Sequence, residues 1–419
     1  MKHRILVAAA SLVLSALILL LLPAASDDPL LSTGPGRLPP LTRPTASQTT
    51  QPEYTGVVRL YSCDEQIAAF LTETAAEYAD LTGVEVVVLR QEADGCQATL
   101  QRYMQSEEPP TVLCVHSQRQ LQAWKDTLLD LNGTDLAAAL CNEDFGLWLY
   151  GELLGIPAAV EGYGLLVNAE LLGTKGALSR NDIFDLSSLG TAAQILKNNS
   201  VKAFPTTAFT PQDAAYLLLS EDLQNARYFI DLYIANSSKT GDPLELFLAG
   251  KAAFCLGGSW QYDALANVVN SSFHVRNLDI LPTYAAGTMQ YVCSTAWCVN
   301  AGARQEDIDA TLDFLTWMTT AGEEGAAPVD RLEMLSPFAD AVWYGNQLEK
   351  RLRGYMRTEG AAVHWKDTDF SASRLLLALN VYVADNTDAN WSTLCTETKR
   401  FKIDNGYDTQ SSVKEKIYE

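Results

Sequence analysis

Val57-Val58-Arg59-Leu60-Tyr61, a run from Glu65 to Leu81, Thr82-Gly83, and Val84-Glu85-Val86-Val87-Val88-Leu89 read in order as strand, helix, stop and strand. Within the helical run Ile67, Phe70, Leu71, Ala75 and Tyr78 recur at the spacing that puts them on one face. A helix around Gln97–Gln105 follows, then Pro109-Pro110, the strand Thr111–Val115 and a helix over 117–128. This β-α-β-α-β alternation predicts a parallel sheet covered by helices. A second α/β region starts after Gly162 with the buried-strand run Tyr163-Gly164-Leu165-Leu166-Val167. Helices are expected at 187–197, 211–220, 221–235 and 243–248, with strands at Ala252–Leu256, Leu278–Leu281 and Val292–Asn300. A helix over Asp307–Thr320 and a mostly helical C-terminal third complete the reading.

The 419 residues carry 30 Lys and Arg against 51 Asp and Glu, a net charge of −21, and 47% are hydrophobic. That is a globular composition. The acidic balance excludes phosphate-backbone recognition, so nucleic acid is not the expected partner.

The N-terminus begins Met-Lys-His-Arg, and the 18 residues from Ile5 to Leu22 are apolar without a charge before Ala24-Ala25-Ser26. Basic start, apolar middle and small residues make an export signal. The apolar run is also close to bilayer-spanning length. Residues 1–26 are therefore either a cleaved signal peptide or a retained membrane anchor, and the body is expected outside the cell membrane. Residues 27–56, with six prolines and several Ser and Thr, read as a flexible stalk. Export permits disulfides among the eight cysteines. Cys63 and Cys96 each follow a strand and are the expected pair. No CxxC pair occurs and the four histidines are scattered, so neither a metal nor a cofactor is expected.

Four stretches, in order, resemble one family. They are Glu77-Tyr78-Ala79-Asp80-Leu81-Thr82-Gly83-Val84-Glu85-Val86; Gly155-Ile156-Pro157-Ala158-Ala159-Val160-Glu161-Gly162-Tyr163-Gly164-Leu165-Leu166-Val167-Asn168; Phe247–Phe254 with Gly257-Gly258-Ser259-Trp260; and Leu281-Pro282 before the 292–300 strand and 307–320 helix. Together they are similar to the family 1 extracellular solute-binding proteins, the sugar-type receptors of ABC importers that include maltose-binding protein. The likeness covers most of residues 57–320 and is faint beyond. It implies a two-lobed periplasmic-binding-protein-like fold, with two discontinuous α/β lobes and a ligand cleft between them. The first crossing would fall near Ala158–Gly162 and the return near Pro282–Tyr284. Lobe 1 is then 57–158 plus 284–328, and lobe 2 is 162–282 plus 329–419. Many Gram-positive members carry a lipid-modified cysteine just after the signal; here the first cysteine is Cys63.

Sugar recognition needs an aromatic ring under the C–H face of the pyranose and acceptors around its hydroxyl edge. The resemblance implies that Trp260, beside Ser259, stacks on the solute and that the Glu161 carboxylate reaches its hydroxyls. Tyr163 either lines the cleft or begins the strand. Asp64 and Glu65, at the carboxyl end of the first strand, face either a ligand or the helix dipole, and His116 after the third strand has the same two readings. Tyr291, Trp297, Trp343, Tyr344 and Trp365 are further aromatic candidates. The expected function is a monomeric, non-enzymatic receptor that binds a mono- or oligosaccharide and docks on an ABC permease. The alternatives are a secreted carbohydrate-active hydrolase and an anchored solute sensor. No GxSxG, HExxH or P-loop is present. Without residues 1–26, which hold Lys2 and Arg4, the charge is −23, mainly a solubility feature; a cationic solute such as a polyamine is the minority reading.

Overall fold

Two β-sheets organise the chain in the computed structural model, which describes residues 56–407 except 91–95, 221, 239, 269–272, 323–325, 343–344, 359 and 367–370. The expected signal or anchor, nearly all of the stalk, and Trp343 and Tyr344 lie outside the described residues. No described helix is long and apolar enough to cross a membrane.

The first sheet has the order β2-β1-β3-β10-β5-β4. Its strands are β1 (Val58–Ser62), β2 (Val86–Arg90), β3 (Val112–Val115), β4 (Leu147–Leu149), β5 (Glu152–Pro157) and β10 (Ala296–Val299). β1 is parallel to β2 and β3, as the alternation predicts, and β10 runs antiparallel between β3 and β5. The helix between β1 and β2 spans Glu65–Thr82. Asp64 accepts the Ile67 N–H at its start, and Gly83 ends it in the left-handed conformation at φ 78°. Its buried Leu71 and Tyr78 share one core with β1, β3 and with Phe314 and Leu315 of the Gln305–Thr319 helix.

The second sheet has the order β11-β9-β6-β7, with β8 also on β6. Its strands are β6 (Glu161–Asn168), β7 (Phe254–Gly258), β8 (Leu278–Leu281), β9 (Met289–Cys293) and β11 (Ala361–Trp365). β6 reads as a nearly unbroken apolar run because both its faces are covered. Tyr163, Leu165 and Val167 meet the helices of residues 186–198, 223–235 and 371–384, while Leu166 joins the core that continues into the first sheet. At Gly164 a Cβ would overlap the Leu281 carbonyl, so only glycine lets β8 approach this closely.

Three expectations change. The 292–300 strand is two strands in different sheets, β9 and β10, broken at Ser294-Thr295. The return between sheets therefore falls at Ser294-Thr295 and not near 282–284, because Val292 pairs with Glu161 and keeps the chain in the second sheet through Cys293. Here the two crossings touch, the Ala158 N–H donating to the Thr295 carbonyl at 3.0 Å. The chain also comes back a third time. Leu335 pairs with Val160 and Phe338 with Leu140, so residues 335–338 lie beside the first crossing instead of wholly with the C-terminal helices.

Candidate functional site

Glu161 opens β6 directly after the first crossing, and Tyr163 lies two residues on, buried, its hydroxyl donating to Asp213 at 2.6 Å. β7 runs antiparallel beside it and ends at Gly258, after which a single 3-10 turn, Ser259–Gln261, turns Trp260 outward. The turn is held at both ends. The Gly162 N–H donates to the buried Ser259 Oγ at 3.1 Å, and the Gly258 N–H donates to Gln261 Oε1 at 3.1 Å. Trp260 folds back over Gly258, where a methyl would overlap its ring carbons. Its ring lies nearly parallel to Tyr163, centroids 6.3 Å apart, yet the residue remains 39% exposed. A large aromatic that is stacked and still exposed is available to pack on something else.

Lys366, just past β11, completes this corner. Its Nζ donates to Glu161 Oε2 at 2.6 Å and lies 5.9 Å from the centre of the Trp260 ring. Val160, Glu161, Ser259 and Trp260 form one side of a cavity of about 230 Å³. Tyr262 and Asp263 from the following helix, Glu333, Met334 and Leu335 from the third crossing, and Asn346 and Glu349 at the start of the Gln347–Thr358 helix close it. Glu349 accepts the Asn346 N–H at 3.1 Å. Burial, then the neighbouring Asp263 and Glu161 carboxylates, push its pKa up to about 7 against that hydrogen bond. A pocket with an apolar ring, amide groups and carboxylates can pack a carbon frame and accept hydrogen bonds around it.

Of the residues singled out from sequence, Trp260, Glu161 and Ser259 line this cavity, and Tyr163 lies beneath it as the support for Trp260. Asp64, Glu65 and His116 do not line it. Asp64 caps its helix and its other oxygen accepts the Thr295 hydroxyl at 3.5 Å, and Glu65 is exposed on the first turn. His116 Nδ1 lies 3.1 Å from both the Ser294 carbonyl and the Thr295 hydroxyl, beside the return crossing. Tyr291 and Trp365 are core residues. The Tyr291 hydroxyl donates to the Leu352 carbonyl, and the Trp365 indole N–H donates to Gln118. Trp297 is buried against Phe338. Cys63 and Cys96 form a disulfide with Cα atoms 6.0 Å apart; His116 lies within 4.8 Å of the sulfurs, whose valences are spent on one another. Asp263, Glu333, Asn346, Glu349 and Lys366 carry no local motif, and the last four lie where the family likeness is faint.

The family model for bacterial extracellular solute-binding proteins matches residues 73–342. The chain belongs to that family. The solute-binding protein also shares its fold with solved structures of low sequence identity. The cyclic α-maltosyl-1,6-maltose binding protein from Arthrobacter globiformis is 15% identical at TM-score 0.59, over 83% of this chain and 97% of that one. A family 1 extracellular solute-binding protein from Bifidobacterium longum subsp. infantis is 13% identical at 0.61, over 83% and 99%. The bacterial solute receptor AcbH, described as having an exclusive preference for β-D-galactopyranose, is 13% identical at 0.64, over 83% and 98%. No curated protein matches by sequence. The two sheets, joined by crossings that touch at Ala158 and Thr295, are the two-lobed fold of these receptors. The cavity lies beside the first crossing, and the family match ends before Asn346, Glu349 and Lys366.

Proposed function

We propose that this solute-binding protein is an extracytoplasmic receptor that holds a carbohydrate-type solute between its lobes and delivers it unchanged to the membrane subunits of an ABC importer. The observation that carries this reading is Trp260, stacked on Tyr163 but left exposed in a cavity ringed by Glu161, Ser259 and Asn346. The ring offers a platform for the C–H face of a sugar, and the surrounding groups meet its hydroxyls. The sugar ligands named for two of the structural neighbours point the same way. Closure needs only that the solute bind the closed form more tightly than the open one. The export-type N-terminus would hold or release the body outside the membrane.

The test is a thermal-shift and calorimetric screen of the full-length chain against mono- and oligosaccharides, with product analysis of the same mixtures. A stabilising saccharide recovered intact is the expected result. Trp260→Ala then weakens it at least tenfold, which is about 1.4 kcal/mol, with the melting temperature of the free protein little changed. Unchanged affinity removes Trp260 from the site. A second reading, a carbohydrate hydrolase, draws on one observation. Glu349, its pKa pushed up to about 7, shares the cavity with Glu161 and Asp263, and a raised carboxyl group facing other carboxyl groups is an arrangement glycosidases use. Appearance of cleaved sugar would replace the receptor with the enzyme.

A further inference from the structure

The cavity has an excess of negative charge that a neutral sugar does not explain. Glu161, Asp263, Glu333 and Glu349 all line it, and among the described residues only Glu161 has a cationic partner there, Lys366. That partner is informative. An alkylammonium already sits against Trp260 and on a cavity carboxylate, and it is the protein's own. The site's chemistry thus accepts an ammonium beside an aromatic ring, and three carboxylates remain for another. Clustered carboxylates in a cleft that excludes water on closing repel one another more strongly as the dielectric falls, so an uncompensated set opposes closure.

Building on the receptor reading of this cleft, we propose that its solute carries an ammonium group, which Asp263, Glu333 and Glu349 receive while Trp260 packs on the solute's carbon frame. The amine supplies the missing positive charge and so couples binding to closure. Two sources present this chemistry, an amino sugar and an aliphatic polyamine, and both are tested. The elevated proton affinity of Glu349 fits the same picture: with Asp263 and Glu161 facing it, Glu333 in the same cavity and Lys366 engaged by Glu161, an arriving cation favours loss of whatever proton it holds.

The experiment is isothermal calorimetry on the full-length chain at pH 7, in two buffers of different ionisation enthalpy. The ligands are a β-1,4-linked glucosamine disaccharide with free amines, its N-acetylated form, spermidine and a neutral saccharide panel. The free-amine disaccharide or spermidine is expected to bind at least tenfold tighter than the N-acetylated form, with net proton release on binding. Whichever of the two binds tighter identifies the source. Glu349→Gln and Asp263→Asn each weaken the amine at least fivefold more than they weaken the neutral ligands. Lys366→Met, which removes the internal competitor, strengthens the amine. Equal or tighter binding of the N-acetylated or neutral ligand, unaffected by the two charge removals, overturns the proposal and leaves the receptor standing. Absence of binding by every ligand in the set overturns both.

Discussion

Gly258→Ala isolates the placement of the Trp260 ring from the stability of the fold. The backbone at Gly258 is extended, φ −132° and ψ 171°, a region alanine enters freely. The obstacle is the ring itself, since the new methyl would overlap Cε3, Cζ3 and Cη2 of Trp260. Restoring an ordinary carbon–carbon separation requires the ring to move by roughly 1.5 Å. With 39% of the residue exposed, it can swing towards solvent. That sacrifices the stack on Tyr163, worth about 0.5–1.5 kcal/mol. The alanine recovers about 0.4–1 kcal/mol by restricting the unfolded chain, so net stability barely changes. A solute resting on the displaced ring loses a contact of the stacking class, and affinity falls roughly 2- to 13-fold. Calorimetric titration with the best saccharide or amine ligand measures the loss, and tryptophan fluorescence reports the ring's new environment. The decisive control is the same substitution beside Trp260→Ala, where nothing remains to clash and Gly258→Ala should cost no further affinity. An equal loss in both backgrounds, or no loss in the first, refutes the reasoning.

Gly164→Ala meets the Leu281 backbone carbonyl, which cannot rotate away as a side chain can. A fall of about 1–3 kcal/mol in unfolding free energy is expected in urea, and unchanged stability would contradict the close β6–β8 approach. Replacing both Cys63 and Cys96 by Ser opens a loop with a sequence separation of 33. The chain-entropy model puts the loss at about 3–4 kcal/mol, measurable by chemical denaturation under non-reducing conditions. Glu349, held near 7, binds its proton more tightly in the folded chain than in the unfolded one, where a glutamate titrates at about 4.3. Its contribution to stability is full below the unfolded value and is lost as pH rises through about 7. The melting temperature of Glu349→Gln relative to the parent should therefore rise between pH 5 and pH 8; a pH-independent difference would show that Glu349 is not perturbed.

The first parallel strands and the helix between them were readable because each signal is local. Asp64 as cap, Gly83 as stop, the helical spacing from Ile67 to Tyr78 and the β-branched run of β2 all act over a few residues. The 292–300 run was not readable as two strands. β9 and β10 are both buried along their whole length, so the apolar pattern continues through Ser294-Thr295 while the strand changes sheet. Tyr291 and Trp365 show the same limit. An aromatic in a buried strand looks alike whichever face it takes, and one residue of register exchanges core for cleft.

The amino-acid sequence alone specified the alternating elements and the family likeness, and the likeness singled out Glu161 and Trp260, since these depend on short-range spacing and recognisable segments. It held no sign of the acidic cavity. Asp263, Glu333 and Glu349 come from separate segments, and Lys366 reaches Glu161 across 205 positions. Such contacts follow from the pairing of β9 with β6 and β11 and from the third passage at Leu335. Charge acts through space, so the cleft's electrostatic character arises only when folding brings these distant groups together.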